Sequence, residues 1–403
     1  MTLTIRRLGH LGDGIADGPV FVPLSLPGEV VEGEIADGRM AQPRIITPSS
    51  DRVRPPCPHF KSCGGCALQH ASDAFVAEWK QGVVRTALAA QGLEGTFRPI
   101  ITSPPQSRRR AVLAGRRTKK GVLVGFHARA SDVVVGIPDC RLLHPDLMAA
   151  LPALEEIVPL AASRKGEVSF TITRSEAGVD VAVANAKPLD GQLWAALGSL
   201  SQRHHLARLA WDGELVVELN APAQRFGAAH VVPPPGAFLQ ATAEGQAALT
   251  AAVLEAVEDA GTVADLFAGC GTFALPLAAR AEVHAVEGDA AMLKALDQGW
   301  RRAAGLKAVS TETRDLFRRP LMPDELNRYD AIVIDPPRAG AEAQMARIAD
   351  SGLATVAAVS CNPVTFARDA RMLCDAGFRL NWVQVVDQFR WSPHVELVAH
   401  LSR

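Results

Sequence analysis

The residues most able to do chemistry stand at the ends of apolar runs. In DLFAGCGTFALPLA, Gly269 and Gly271 fall between a strand-like and a helix-like stretch, where glycine permits a tight turn and close backbone approach to a ligand. The following strand-like run ends at Glu287, whose carboxylate suits the two hydroxyls of a ribose. Gly269-x-Gly271-x-x-Ala274 also fits the dinucleotide fingerprint, so the turn by itself leaves NAD and S-adenosylmethionine open. Asp335-Pro336-Pro337-Arg338 follows a third run, and its prolines stiffen the loop that aims Asp335. A D-P-P loop at this place is a methyltransferase habit and favours the sulfonium cofactor. Chemistry on exocyclic amines usually puts an aromatic after the prolines; here that residue is Arg338, which argues against it. Cys361, in Ser360-Cys361-Asn362-Pro363, is either a nucleophile or a small buried hydrophobe. Cys270 and Cys374 read as the latter.

These residues need a scaffold, and 403 residues suffice for two or three domains. Residues 1–52 read as short strands punctuated by glycines, which suggests a small β-barrel. Residues 51–70 are rich in proline, cysteine and glycine without periodicity, a loop held by something other than an apolar core. A helix is expected over 73–92, capped by Ser72 or Asp73, with Phe75, Val76, Trp79, Val83, Val84 and Leu88 near one face. It is a candidate to pack on the catalytic domain. Strand-like runs mixed with helical stretches around 145–162 and 190–209 make 53–235 a central α+β domain. Val231-Val232-Pro233-Pro234-Pro235-Gly236 ends it, because three prolines fit neither a helix nor a central strand. From 236 to 403, βα alternation (VADLF, VHAVE, AIVID, TVAAVS) predicts a doubly wound, Rossmann-like parallel sheet. FRLNWVQVV and HVELVAHLS are expected as an antiparallel hairpin at its edge.

The net charge of -1 conceals polarity. Residues 1–60 carry 6 basic and 7 acidic side chains, residues 61–150 carry 13 and 6, and the remainder 23 and 30. A segment of net +7 can steer a polyanion to one surface. Its densest part is Arg108, Arg109, Arg110, Arg116, Arg117, Lys119 and Lys120, read as a hairpin presenting phosphate contacts. No stretch approaches 18 apolar residues, so no transmembrane helix is expected. The start lacks the apolar region of a secretory signal, so a cytoplasmic location is expected. Seven cysteines there point to metal or catalysis rather than disulfides.

Taken together, CPHFKSCGGCALQH, FLQ, DLFAGCGTF, DPPRAG, SCNPVTFARD and HVELVAHL resemble the RNA 5-methyluridine methyltransferase family. They are similar to its bacterial 23S rRNA branch, which carries a TRAM domain and an iron–sulfur cluster. The resemblance implies that Cys361 adds to C6 of uracil and that Glu396 removes the C5 proton. It places cofactor contacts on Gln240, Phe267, Thr272, Glu287, Asp315 and Asp335. Thr272 stands where many members have asparagine, and Gln240 has the target base as an alternative partner, with Phe238 placed to stack on that base. It makes Cys57, Cys63, Cys66 and Cys140 the ligands of a [4Fe-4S] cluster; four thiolates, with His59 and His70 nearby, suit zinc as well. The implied substrate is 23S rRNA, with a tRNA T-loop uridine second, and the enzyme is expected to be a monomer. A non-catalytic RNA-binding assembly factor is the reading from a different class, and a pyridine-nucleotide oxidoreductase a remote third.

Overall fold

A computed structural model describes residues 1–119 and 121–403; Lys120 lies outside the described residues. The N-terminal strands form one antiparallel sheet in the order Val20–Val22, Gly14–Ala16, Thr2–Leu8, Val30–Glu32, Arg44–Thr47. Its inner side buries Ile5, Val22, Val31 and Met40. The sheet bends round so that Phe21 exchanges backbone hydrogen bonds with Gly38 and Met40. Glu29, fully buried, accepts from Arg52 at 2.5 Å, tying this domain to the cysteine-rich segment.

The central sheet has seven strands, ordered Val134–Gly136, Gly121–His127, Arg110–Thr118, Glu167–Ser175, Gly178–Ala184, Arg208–Trp211, Glu214–Glu218. Helices Leu151–Ala161 and Gly191–Arg203 share its apolar core. The helix expected over 190–209 stops at Arg203. His205 adopts a φ of 51°, which no helix accommodates, and Arg208–Trp211 becomes a strand parallel to Gly178–Ala184.

Five parallel strands build the C-terminal sheet, ordered Val309–Thr313, Glu282–Glu287, Thr262–Leu266, Ala331–Ile334, Thr355–Ser360. Leu397–Ser402 follows antiparallel, then Arg379–Asp387. The expected terminal hairpin is therefore present but is not the edge. Thr96–Phe97 and Ile101–Thr102 add in parallel outside it, covering backbone groups that an exposed edge would leave unpaired. Apolar cores line both faces of the sheet.

Packing moves two pieces of the expected central domain onto this sheet. Helix Asp73–Ala89, capped by Ser72, buries Val76, Lys80, Gln81, Val84 and Leu88. Lys80 Nζ donates to Asp387 Oδ1 at 2.5 Å and to the Phe389 carbonyl at 3.1 Å. The hairpin of Gln224–Phe226 and Ala229–Val231 buries Phe226, Ala229 and Val231 in the core of the C-terminal unit. Among the described residues, no helix is long and apolar enough to cross a membrane.

Candidate active site

Strand direction explains the site. Phe267, Glu287, Asp315, Asp335 and Cys361 each stand at or just beyond the carboxyl end of a different parallel strand, the side on which open α/β sheets bind ligands. Leu397–Ser402 runs the other way, so it is the residue before its start, Glu396, that reaches the same rim. Arg379–Asp387 runs antiparallel to it and delivers Gln388 there at its end.

At the glycine turn, Gly271 has a φ of 91°, and a Cβ there would stand 2.8 Å from Leu296; glycine is required on both counts. Phe267 is held at a φ of 61°, uncommon for a bulky residue and a mark of functional sites, and its ring lies 5.3 Å from that of Phe317. The Glu287 carboxylate accepts from the backbone N–H groups of Gly269, Gly288 and Asp289 at 3.0, 2.7 and 3.0 Å. Asp315 caps the turn after its strand by accepting from the Phe317 N–H at 3.0 Å. Thr272 is half-buried in the glycine turn.

Asp265 was not singled out by motif, although a carboxylate inside the apolar run VADLF is itself a signal. It is fully buried, and neither carboxylate oxygen has a hydrogen-bond partner among the described residues. Burial first, then the charge of Asp335, pushes its pKa far up. Asp265, Asp335 and Glu287 thus crowd this rim, and a bound cation would favour their charged forms. S-adenosylmethionine carries an ammonium and a sulfonium, so this rim fits it.

Cys361 and Glu396 come together at the far side of the rim. Burial, followed by the charges of Glu396 and Asp335, pushes the Cys361 thiol up to about 11, while Arg338 pulls it down. Arg338 is positioned through its carbonyl, which accepts from Asn362 Nδ2 at 2.9 Å and Thr365 Oγ1 at 3.2 Å. Glu396 is only 2% exposed; burial and then Asp335 raise it well above the carboxylate range. Two side-chain amides connect these acids. Gln240 Nε2 approaches Asp335 Oδ2 at 3.5 Å, and Gln240 Oε1 accepts from Gln388 Nε2 at 2.5 Å. The same Gln388 amide donates to Glu396 Oε2 at 3.0 Å, and Gln388 Oε1 accepts from the Ala241 N–H at 2.7 Å. No motif pointed to Gln388; only the fold shows it as the joint between FLQ and the carboxylate.

The basic run divides. Arg109 is buried, and it donates to the Gln240 carbonyl at 3.1 Å and Gln246 Oε1 at 2.6 Å. It is therefore corrected from an RNA contact to an internal brace. Arg110 is spent similarly, on the carbonyls of Ala237 and Gly236 at 2.9 and 3.0 Å, and Arg108 on the Arg110 carbonyl at 3.1 Å. The chain at 108–110 enters the strand Arg110–Thr118 against residues 236–246, so the guanidinium groups of Arg109 and Arg110 meet oxygen acceptors there. Arg116, Arg117 and Lys119 lie towards the turn end of the expected hairpin, with Glu167 3.6 Å from Arg116. Phe238 is 63% exposed beside Arg110.

Cys57, Cys63, Cys66 and Cys140 are free thiols, near enough for the charge of one to act on another. Burial foremost, with the other thiols of the set contributing, raises Cys63 and Cys140 and takes Cys66 to about 12. The Gly65 and Leu142 N–H groups each donate to sulfur at 3.4 Å, to Cys63 and Cys140. A Cβ on Gly65 would stand 2.9 Å from the Phe126 ring. Among the described residues, no group of three His, Cys, Asp or Glu side chains stands at metal-ligating spacing. His70 stacks on Phe60 at 5.7 Å, and among the described residues no side chain hydrogen-bonds to its buried ring nitrogens.

A Rossmann-like sheet whose rim fits a sulfonium cofactor and gathers a thiol with carboxylates defines a methyltransferase. The family model for tRNA (uracil-5-)-methyltransferase matches residues 302–403. An RNA methyltransferase of Brucella suis biovar 1 (strain 1330) is 46% identical, over 100% of this chain and 97% of that protein. The 23S rRNA (uracil(1939)-C(5))-methyltransferase of Chromohalobacter salexigens is 34% identical, over 100% and 89%. The chain thus belongs to the RNA (uracil-C5) methyltransferase family and is an S-adenosylmethionine-dependent enzyme acting on RNA. Its fold matches that of Pyrococcus abyssi tRNA (uracil-54, C5)-methyltransferase in complex with S-adenosyl-L-homocysteine, with a TM-score of 0.81 at 23% identity over 100% of this chain and 99% of that one.

Proposed function

We propose that the enzyme methylates C5 of a uridine in 23S rRNA, with Cys361 as nucleophile and Glu396 as base. The observation that carries this reading is the meeting of Cys361 and Glu396 at one rim, close enough for the carboxylate to raise the thiol's pKa. Uracil C5 is too weak a nucleophile by itself. Addition of the Cys361 thiolate at C6 moves the ring electrons onto C4–O4 as an enolate, which makes C5 nucleophilic. Gln240, Phe267, Thr272, Glu287, Asp315 and Asp335 would hold S-adenosylmethionine, which would supply C5 with an electrophilic methyl group and leave as the thioether. Glu396 then takes the C5 proton; the C–H pair restores C5=C6 and expels the thiolate. Arg338 favours the thiolate, and Gln388 aims the Glu396 carboxylate. A paired uridine must leave its stack for this chemistry, at a cost of a few kcal/mol; exposed Phe238 is placed to receive the base. Arg116, Arg117 and Lys119 contact phosphates.

Within this proposal, Cys57, Cys63, Cys66 and Cys140 hold a [4Fe-4S] cluster, with zinc the weaker alternative. Four gathered thiols and N–H donors to sulfur suit such a cluster. The methyl transfer needs no electron, so the group would serve to cross-link residues 57–66 with Cys140. The five-stranded N-terminal domain is read as the TRAM module.

Mapping 5-methyluridine by mass spectrometry, in cells with and without the gene, tests the substrate. Loss from tRNA alone would replace 23S rRNA with a T-loop uridine. For the mechanism, Glu396→Gln is expected to trap a covalent RNA adduct on a denaturing gel. A variant that turns over normally, or never forms the adduct, sinks the assigned roles.

A further inference from the structure

A second cleft, of about 460 Å³, opens where the cysteine-rich segment, the start of helix Asp73–Ala89 and the loop bearing Glu396 converge. Its volume is that of a small-molecule site. Three guanidinium groups line it, from Arg54, Arg141 and Arg390, over apolar walls from Val53, Pro105 and Trp391. Arg54 and Arg141 are exposed, and neither makes a side-chain hydrogen bond or ion pair among the described residues. Arg390 is anchored by Asp73 at 2.6 Å and by the Ser103 carbonyl at 3.0 Å. Asp73 is the acid of the cleft, so positive charge is left over. Val53 is 41% exposed, a large apolar side chain beside the unpaired arginines.

Apolar walls rimmed by unpaired guanidinium groups suit a nucleobase lifted out of its stack, with its phosphates on the rim. We propose that this cleft binds an unpaired nucleotide of the RNA substrate, outside the one that is methylated. The place fits a single RNA strand. The Gln106 N–H donates to the Arg141 carbonyl at 3.0 Å, and from Gln106 the chain runs to Arg110 beside Phe238, a span of at most about 14 Å at about 3.5 Å per residue. The cleft is also continuous with the catalytic loop: the Trp391 carbonyl accepts from the Ala67 and Leu68 N–H groups at 2.7 and 3.0 Å, and that loop continues to Glu396. The inference rests on RNA as substrate, and not on which uridine is modified or on Cys361 chemistry.

The test compares the full-length protein with an Arg54→Gln/Arg141→Gln variant, titrating a labelled single-stranded RNA oligonucleotide across a salt series. Removing two phosphate contacts is expected to weaken binding about tenfold and to flatten the salt slope by about 1.4, with cofactor affinity and melting unchanged. Photo-cross-linking of 4-thiouridine RNA is expected to label the peptides carrying Val53 or Trp391. Unchanged affinity and slope would overturn the proposal. Normal binding of naked RNA with lost binding of ribosomal particles would overturn it in favour of a protein partner. A methyl group mapped to another base would defeat the uracil-C5 reading while leaving this binding result intact.

Discussion

Two thiol sites in this molecule start from the same residue and diverge through their neighbours. Burial raises the pKa at both. Around Cys361 the neighbours are Glu396, Asp335 and Arg338, charges that can pass or steady a proton. Around Cys66 they are other thiols, with backbone N–H groups on Cys63 and Cys140, which suit a bound group and offer no base. A cysteine's chemistry is therefore decided by what packs round it, and perturbation of the thiol alone does not separate nucleophile from ligand.

The sharpest way to break this contrast is to truncate both. Cys361→Ala is expected to lower methyl transfer by a factor on the order of 10³ or more while leaving the melting temperature near that of the wild type. Cys66→Ala is expected to lose about 2–5 kcal/mol of stability, read by denaturant melts, and to lose activity only as folded protein is lost. Reversed outcomes would exchange the two roles.

Gln388→Ala probes the carboxylate side. It leaves Glu396 without its amide donor and Gln240 without its partner, and is expected to cut kcat about 10–100-fold, with cofactor KM little changed and the RNA adduct accumulating. Gln388→Glu, which keeps the size and adds a third acid, is expected to do no better. Full activity in the alanine variant would remove Gln388 from the machinery.

A smaller effect separates the regions by the sign of their pH dependence. His70, beside the cysteine-rich segment, is pushed down to about 4, chiefly by burial. Its unfolded form takes up a proton below about 6.5 while the folded form does not. Stability from this group is present above that pH and is lost as pH falls towards 4, by at most about 3 kcal/mol. Asp335 moves the opposite way, burial carrying it up to about 7. Its contribution is present below the unfolded carboxylate pKa and is lost as pH rises through about 7. Without cofactor, Asp335→Asn is expected to raise stability at pH 8 by on the order of 1–3 kcal/mol, and His70→Phe to flatten the acid limb. Melts of both variants across pH 4–8 check the signs.

Much of the site was legible because it uses strand ends. DLFAGCG, DPPR and SCNP each combine an apolar run with a turn, and local spacing places such residues at one edge of a parallel sheet. The strand Val309–Thr313 was not read as such, being mostly polar and exposed (VSTET). The basic run was legible as charge and not as function: three adjacent arginines look alike in sequence, yet Arg109 meets carbonyls from a segment more than a hundred residues away. Lys80 was equally opaque, since its partner Asp387 lies 307 residues on.

Apolar periodicity and glycine and proline placement by themselves determined the class of sheet and the cofactor turn, whereas Cys361 and Glu396 were singled out through the family resemblance. Sheet class and turn are short-range properties, set by backbone sterics and by which face must be buried. Tertiary structure alone decided that the terminal hairpin is interior, that 96–102 and 224–231 join the catalytic unit beside the helix expected to pack there, and that Gln388 links Glu396 to Gln240. It also decided that Arg109 is an internal brace. Such choices rest on pairings between distant segments, where hydrogen-bond satisfaction of buried polar groups, rather than any local preference, selects the partner.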